Sequence, residues 1–429
     1  MRRRAFLQAL SVLPSAGAAW GCRREPARKD GRTIATLWFS YGGKNREVLL
    51  DLVKRFNESQ PSVRVEATFQ GDYFEALAKL RTALAAKVAP TFSHVVGEVV
   101  PYLAEAQVLE PLDGYEGAEA IAFVPALAQS GAYLRERTGS SRSLVAIPFN
   151  RSTPIMYLNG SILEKEGLKA PRTWDELREA ARALTRRGEG ARWGYEVPIS
   201  WWFWVAMVGQ AGGTLMGDDG DPTLGGEAGE KALAFWQRLV HEDKVMRPPP
   251  GRDYNAWQAT NQDFLAGKAA ITWTSTAFLR YLEENARFPV VAANLPYDVR
   301  PAVPTGGTFF TVLRQAPREE KEAAWSFLRW MCGAEQTIEW ATRTGYLPVT
   351  EPAVQRLRET GYYAKHPNDE IALSQLAHVE PWPWATELFR IQRDVVEPRL
   401  ERAVFDGTNA RSVMSEARAV ARARVVRSR

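Results

Sequence analysis

The stretch 148–159, PFNRSTPIMYLN, holds the reading that decides the fold. Its second half, Ile155 to Leu158, is an unbroken apolar run of the kind found in strands buried on both faces. Its first half is polar and lies between Pro148 and Pro154, whose fixed φ stiffens the backbone. A polar run entering a core strand fits a passage between two bodies. On this reading Phe149 to Thr153 line a cleft, and Ile155 opens the core of the second body.

The flanking sequence supplies both bodies. Upstream, Ile34 to Phe39 reads as a strand, and Asn45 to Phe56 sets Val48, Leu49, Leu52, Val53 and Phe56 on one helical face. Val63, Val65, Ala67 and Phe69 then alternate as a strand, followed by a helix over 74–86 and a strand over 92–96. Downstream, the pattern predicts helices over 174–185, 227–240 and 318–331, and strands over 269–272 and 308–313. Strands separated by helices imply an α/β protein with mainly parallel sheets covered on both faces. No glycine- or serine-rich linker divides the two sets, so strands are expected to cross from lobe to lobe, with ligand groups at their carboxyl ends.

The amino terminus reads as an export signal. Arg2, Arg3 and Arg4 precede an apolar stretch from Ala5 to Trp20, too short for a comfortable membrane span, and Gly21-Cys22 follows. Arg3 to Gln8 resembles the twin-arginine motif, and Ala19-Trp20-Gly21-Cys22 a lipobox in which Cys22 is acylated. Residues 1–21 are therefore expected to be removed and 22–32 to act as a tether. If Cys22 is lipidated, Cys332 is the remaining thiol and no internal disulfide forms.

Several function classes find little support. The net charge of +5 and pI near 9.1 owe much to arginines in 411–429, where Val413, Ala417, Val420 and Ala421 provide an apolar helix face. That segment reads as a solvated terminal helix rather than a nucleic-acid arm. The sequence has no Gly-x-Ser-x-Gly elbow, His-Glu-x-x-His or Cys-x-x-Cys, and its four histidines lack ligand spacing. Gly42-Gly43-Lys44 reads as a strand-to-helix turn, and Asp218, Asp219 and Asp221 read as a turn rather than a calcium loop. No cofactor is implied. Carboxylates are too plentiful to exclude a glycosidase by counting, yet none form an obvious pair.

Four strings in one order are more specific: Phe149-Asn150-x-Ser152-Thr153-Pro154, then Phe264-x-x-Gly267-x-x-Ala270-Ile271 leading to Thr274-Ser275, then Gly306-Gly307, then Thr344 to Thr350 (TGYLPVT). This set resembles the sn-glycerol-3-phosphate-binding members of the extracellular solute-binding proteins of bacterial ABC importers, whose best-known relative binds maltose. The likeness runs along nearly the whole chain after the leader. It implies a two-lobed, type II periplasmic-binding-protein fold, not an enzyme, that captures glycerol-3-phosphate or a glycerophosphodiester and hands it to membrane permease subunits.

The resemblance also implies a ligand shell. Tyr73 matches a ligand tyrosine, and Glu98 a glutamate accepting from glycerol hydroxyls. Ser152 and Ser275 match two ligand serines, Gly307 offers a backbone amide, Tyr346 a phenol, and Arg393 a fork for the phosphate. Trp201 and Trp204 match two cleft tryptophans, with Trp202 between them leaving the assignment ambiguous. Each has a plainer reading beside this one. Ser152 and Ser275 suit turns or caps, Tyr346 and the tryptophans suit core packing, and Arg393 suits a helical pair with Asp394 or Glu397. The expected lobes are 33–148 plus 276–343, and 149–275 plus 344–429. The protein is expected to be a monomer. A neutral oligosaccharide remains the alternative ligand, and an exported glycosidase or phosphodiesterase the alternative class.

Overall fold

The computed structural model describes residues 25–129, 131–135, 142–249, 251 and 253–428. The expected leader 1–21 and the lipidation site Cys22 lie outside them.

Two sheets organise the described residues. The first has six strands. Arg32–Phe39 runs parallel to both Val63–Phe69 and Phe92–Val96, and Gly306–Val312 is antiparallel to Phe92–Val96 and to Ile147–Ser152. The second has four, in the order Val290–Ala293, Pro154–Asn159, Ala269–Ser275 and Trp193–Glu196. Each sheet has its own core. Val48, Leu49, Leu52, Val53 and Phe56 of helix Gly43–Ser59 pack in the first, the five positions that periodicity singled out. The helices Trp201–Gln210 and Glu227–Gln237 pack in the second.

Strand Ile147–Ser152 belongs to the first sheet and Pro154–Asn159 to the second, with Thr153 alone between them. All residues of both strands are buried. This corrects one expectation: of Phe149 to Thr153, only Ser152 lines the cleft described below, while Asn150, Arg151 and Thr153 are 0% exposed. Their side chains turn inward and hydrogen-bond to Gly307, Thr305, Thr308 and Gln375.

A second correction concerns the lobe boundary at 275/276. Strand Val290–Ala293 pairs antiparallel with Pro154–Asn159, and Leu279 and Leu282 pack with Ile155 and Tyr157. Residues 276–304 therefore stay with the second sheet, and the chain returns to the first at Thr305, between Val303–Pro304 and Gly306–Val312. The third passage follows helix Ala334–Thr344: Tyr346 packs in the first core, whereas Leu347 packs with Ile155 and Tyr157 of the second sheet.

The terminal helix Ala410–Ser428 buries Val413, Ala417 and Ala421 against the second core, with Val420 half-exposed. Its arginines meet acidic neighbours: Arg418 pairs with Glu230, and Arg422 with Asp221.

Candidate functional site

A cavity of about 850 Å³ lies between the two sheets. It gathers Tyr73, Glu98, Ser152, Trp201, Ser275, Gly307, Tyr346 and Arg393 from the two bodies and the passages between them.

Local structure explains each placement. Asp72 caps helix Tyr73–Ala85 by accepting from the N–H groups of Phe74 (2.8 Å) and Glu75 (2.9 Å), while Glu75 reaches back to the Asp72 N–H. This capping box fixes Tyr73 as the first helical residue, at the cavity wall. Glu98 sits in the short turn Gly97–Val99 at the carboxyl end of strand Phe92–Val96, and Ser152 and Ser275 end their own strands. Ligand groups are expected at such strand ends. The Ser275 hydroxyl also accepts from the Ala277 N–H at 3.2 Å, so it is a cap as well as a wall.

Gly307 has φ +88, in the left-handed region, at a bulge where strand Gly306–Val312 slips against Ile147–Ser152. A Cβ there would stand 1.7 Å from the Asn150 carbonyl oxygen, so only glycine fits.

Two buried residues that sequence reasoning passed over organise the floor. Asn150 donates from Nδ2 to the phenols of Tyr73 and Tyr346, both at 3.3 Å, and accepts at Oδ1 from the Thr308 N–H at 2.8 Å. The Arg151 guanidinium donates to the Gly307 carbonyl (3.0 Å) and the Thr305 hydroxyl (2.6 Å) and lies over the Phe309 ring at 4.3 Å. These partners are neutral. Burial pushes the Arg151 pKa down to about 10, with the charge of Glu98 opposing that fall. The clue to both was in the opening stretch, in the asparagine and the unassigned residue after it.

Glu98 is perturbed in the other sense. Desolvation raises its pKa to about 7, opposed by its backbone hydrogen bond and by Arg151, and reinforced by Glu397. Arg393, in the helical turn Ile391–Val396, stacks its guanidinium 3.9 Å over the Phe74 ring and donates to Glu397 at 2.8 Å. The plainer pairing and the cavity placement are thus both realised.

The tryptophans need correction. Trp204 does not line the cavity: it is fully buried in the second core, its indole N–H donating to the Gly229 carbonyl at 3.1 Å. On a helix beginning at Trp201, positions 201 and 204 share the inward face, so Trp201 only borders the cavity from the second core, itself 0% exposed, and Trp202 turns aside. Trp202 lines the cavity with Trp257 and Phe278, ring centroids 5.6 and 6.2 Å apart in succession. The Trp202 indole donates to the Thr305 carbonyl (3.2 Å), as does Trp382 from the core (2.8 Å).

Chemically the site combines aromatic walls, hydroxyls, carboxylates and one lining arginine. The lining carboxylates are Asp72, Glu75, Glu98, Glu397 and Glu401, against Arg393. Such a surface suits a ligand rich in hydroxyls or carrying a positive group, with one place for an anion.

Comparison with known proteins agrees with this architecture. A family model described as bacterial extracellular solute-binding protein matches residues 51–368. The chain belongs to that family. Its members bind small molecules for ABC importers and deliver them to permease subunits. The chain is 26% identical over 399 residues to the sn-glycerol-3-phosphate-binding periplasmic protein UgpB of Yersinia pseudotuberculosis, covering 87% of this chain and 88% of that one. It is similar to UgpB of Escherichia coli O6:K15:H31 at the same identity over 381 residues, with 84% of each chain covered. Among solved structures, UgpB from Mycobacterium tuberculosis in complex with glycerophosphocholine superposes with a TM-score of 0.80 at 25% identity, over 91% of this chain and 98% of that one. Maltose-bound MalE3 of T. maritima superposes at 0.78 with 22% identity, over 90% of this chain and 98% of that one, a likeness of fold. The fold is therefore the two-lobed, MalE-like one that the sequence implied. Among the described residues no helix is long and apolar enough to cross a membrane.

Proposed function

We propose that this family member captures glycerophosphodiesters, of which glycerophosphocholine is the model, and delivers them to an ABC permease. The carrying observation is the cavity itself, where every implied ligand residue except Trp204 meets between the lobes. Arg393 and the two serines suit the phosphodiester, Glu98 the glycerol hydroxyls, and the Trp202–Trp257–Phe278 wall with its neighbouring carboxylates a quaternary ammonium. Free glycerol-3-phosphate, a dianion, is the weaker fit, since five lining carboxylates oppose it. Capture closes the lobes about the passages at Thr153, Thr305 and Tyr346, by as much free energy as the ligand's extra contacts in the closed state supply. The protein acts as a monomer, exported and tethered through Cys22.

A neutral oligosaccharide is the second reading, favoured by the same aromatic wall and acceptor-rich lining. A thermal-shift panel of glycerophosphocholine, glycerol-3-phosphate, maltose and inorganic phosphate separates them. A ligand at ~100 times its Kd stabilises the folded protein by ~2.7 kcal/mol. Glycerophosphocholine is expected to give the largest shift; a shift with maltose alone overturns the proposal.

A further inference from the structure

Asn150 is wholly buried at the bulge between two strands of the first sheet, and all its polar contacts run to other strands or to the cavity wall. The bulge takes the Thr308 N–H off the strand ladder, and the Asn150 side chain receives it at 2.8 Å, together with the Thr308 hydroxyl. A backbone N–H only donates, so the atom facing it is the amide oxygen. The orientation of the whole amide follows. Its NH₂ group must face the other way, where its two hydrogens meet the phenol oxygens of Tyr73 and Tyr346. Each phenol accepts from Asn150, so its own proton is directed away from that amide. Tyr73 comes from the capped helix start and Tyr346 from the third passage, and both line the cavity.

We propose that Asn150 is a positioning residue that sets the hydrogen-bond polarity of the cavity, orienting the Tyr73 and Tyr346 phenols as paired donors toward an anionic oxygen of the bound solute. This rests on the reading of the cavity as the solute site, and it makes the ligand group at that wall an acceptor, such as a phosphoryl oxygen. The chain of cause runs from a glycine-dependent bulge, through one amide, to the selectivity of two side chains.

Two measurements test it. Resonance Raman spectra distinguish phenols that accept from phenols that donate by the intensity ratio of the tyrosine Fermi doublet, and need no ligand. The difference between wild type and the Tyr73→Phe, Tyr346→Phe double variant isolates the two rings. It is expected to shift toward the donor signature in Asn150→Asp, where a carboxylate only accepts. A doublet unchanged by Asn150→Asp overturns the proposal.

The second measurement is a calorimetric mutant cycle with Asn150→Ser. Glycerophosphocholine affinity is expected to fall about tenfold in the wild-type background, but no more than about twofold where both phenols are already phenylalanine. Equal losses in both backgrounds overturn the proposal, as does a lowered unliganded melting temperature with affinity unchanged. If wild type takes up maltotriose and not glycerophosphocholine, the phosphodiester reading fails, and the same cycle run with maltotriose decides the role of Asn150 separately.

Discussion

Replacing Glu98 by glutamine tests the electrostatics of the cavity without changing its shape. The Glu98 pKa is raised from 4.5 to about 7, chiefly because the fold strips water from the carboxylate. Between those two pH values the native state holds a proton that the unfolded chain has released, so stability falls as pH rises through this window. A shift of that size corresponds to ~3 kcal/mol, and we take ~2 kcal/mol because the side chain keeps some contact with water. Glutamine carries no titrating proton and removes this slope. Chemical denaturation of both proteins at half-unit steps from pH 4.5 to 8.5 is the assay. At pH 4.5 the two should be within about 0.5 kcal/mol of each other, and by pH 8.5 the variant should be more stable by ~2 kcal/mol. Glu196, buried in the second lobe and also raised to about 7 by desolvation, contributes the same slope to both proteins and cancels in the difference. A stability difference that does not change with pH would refute the reasoning.

Other substitutions separate wall from core. Ser152→Ala should weaken glycerophosphocholine binding by ~1 kcal/mol in calorimetry, with the unliganded melt nearly unmoved. Trp204→Ala should cost ~3 to 5 kcal/mol of unliganded stability by urea unfolding, as loss of a fully buried indole does, whereas Trp202→Ala should cost chiefly affinity. Arg393→Gln should lower affinity for glycerophosphocholine by ~2 kcal/mol and leave maltose binding, if any, unaffected; equal losses for both ligands would remove the phosphate from that place.

Local pattern carried most of the secondary structure because the cores are strongly patterned. Helix Arg318–Met331 and strand Phe92–Val96 stand where the sequence pattern set them, and Thr173 caps helix Trp174–Leu184 by accepting from the Glu176 N–H. What escaped was long-range. The four residues Val290–Ala293 look like any short apolar run, and only their pairing with Pro154–Asn159 assigns 276–304 to the second lobe. Three tryptophans within four residues cannot be sorted by composition; the first residue of the helix sorts them. Asn150 and Arg151 escaped because a polar string suggests solvent, whereas here it supplies the hydrogen bonds of a buried crossing. The residues that the resemblance singled out line the cavity, Trp204 excepted, but the resemblance was silent on what holds them.

The Thr305 carbonyl receives the indole protons of Trp202 from the cavity wall and Trp382 from the core, and the same residue's hydroxyl receives Arg151. On the proposed function, a chromophore that the solute would touch is thereby fastened to a passage about which the lobes would turn. Solute contact and hinge rotation should then alter the emission of the Trp202 indole together, so a stopped-flow trace without any attached dye would time the closing stroke.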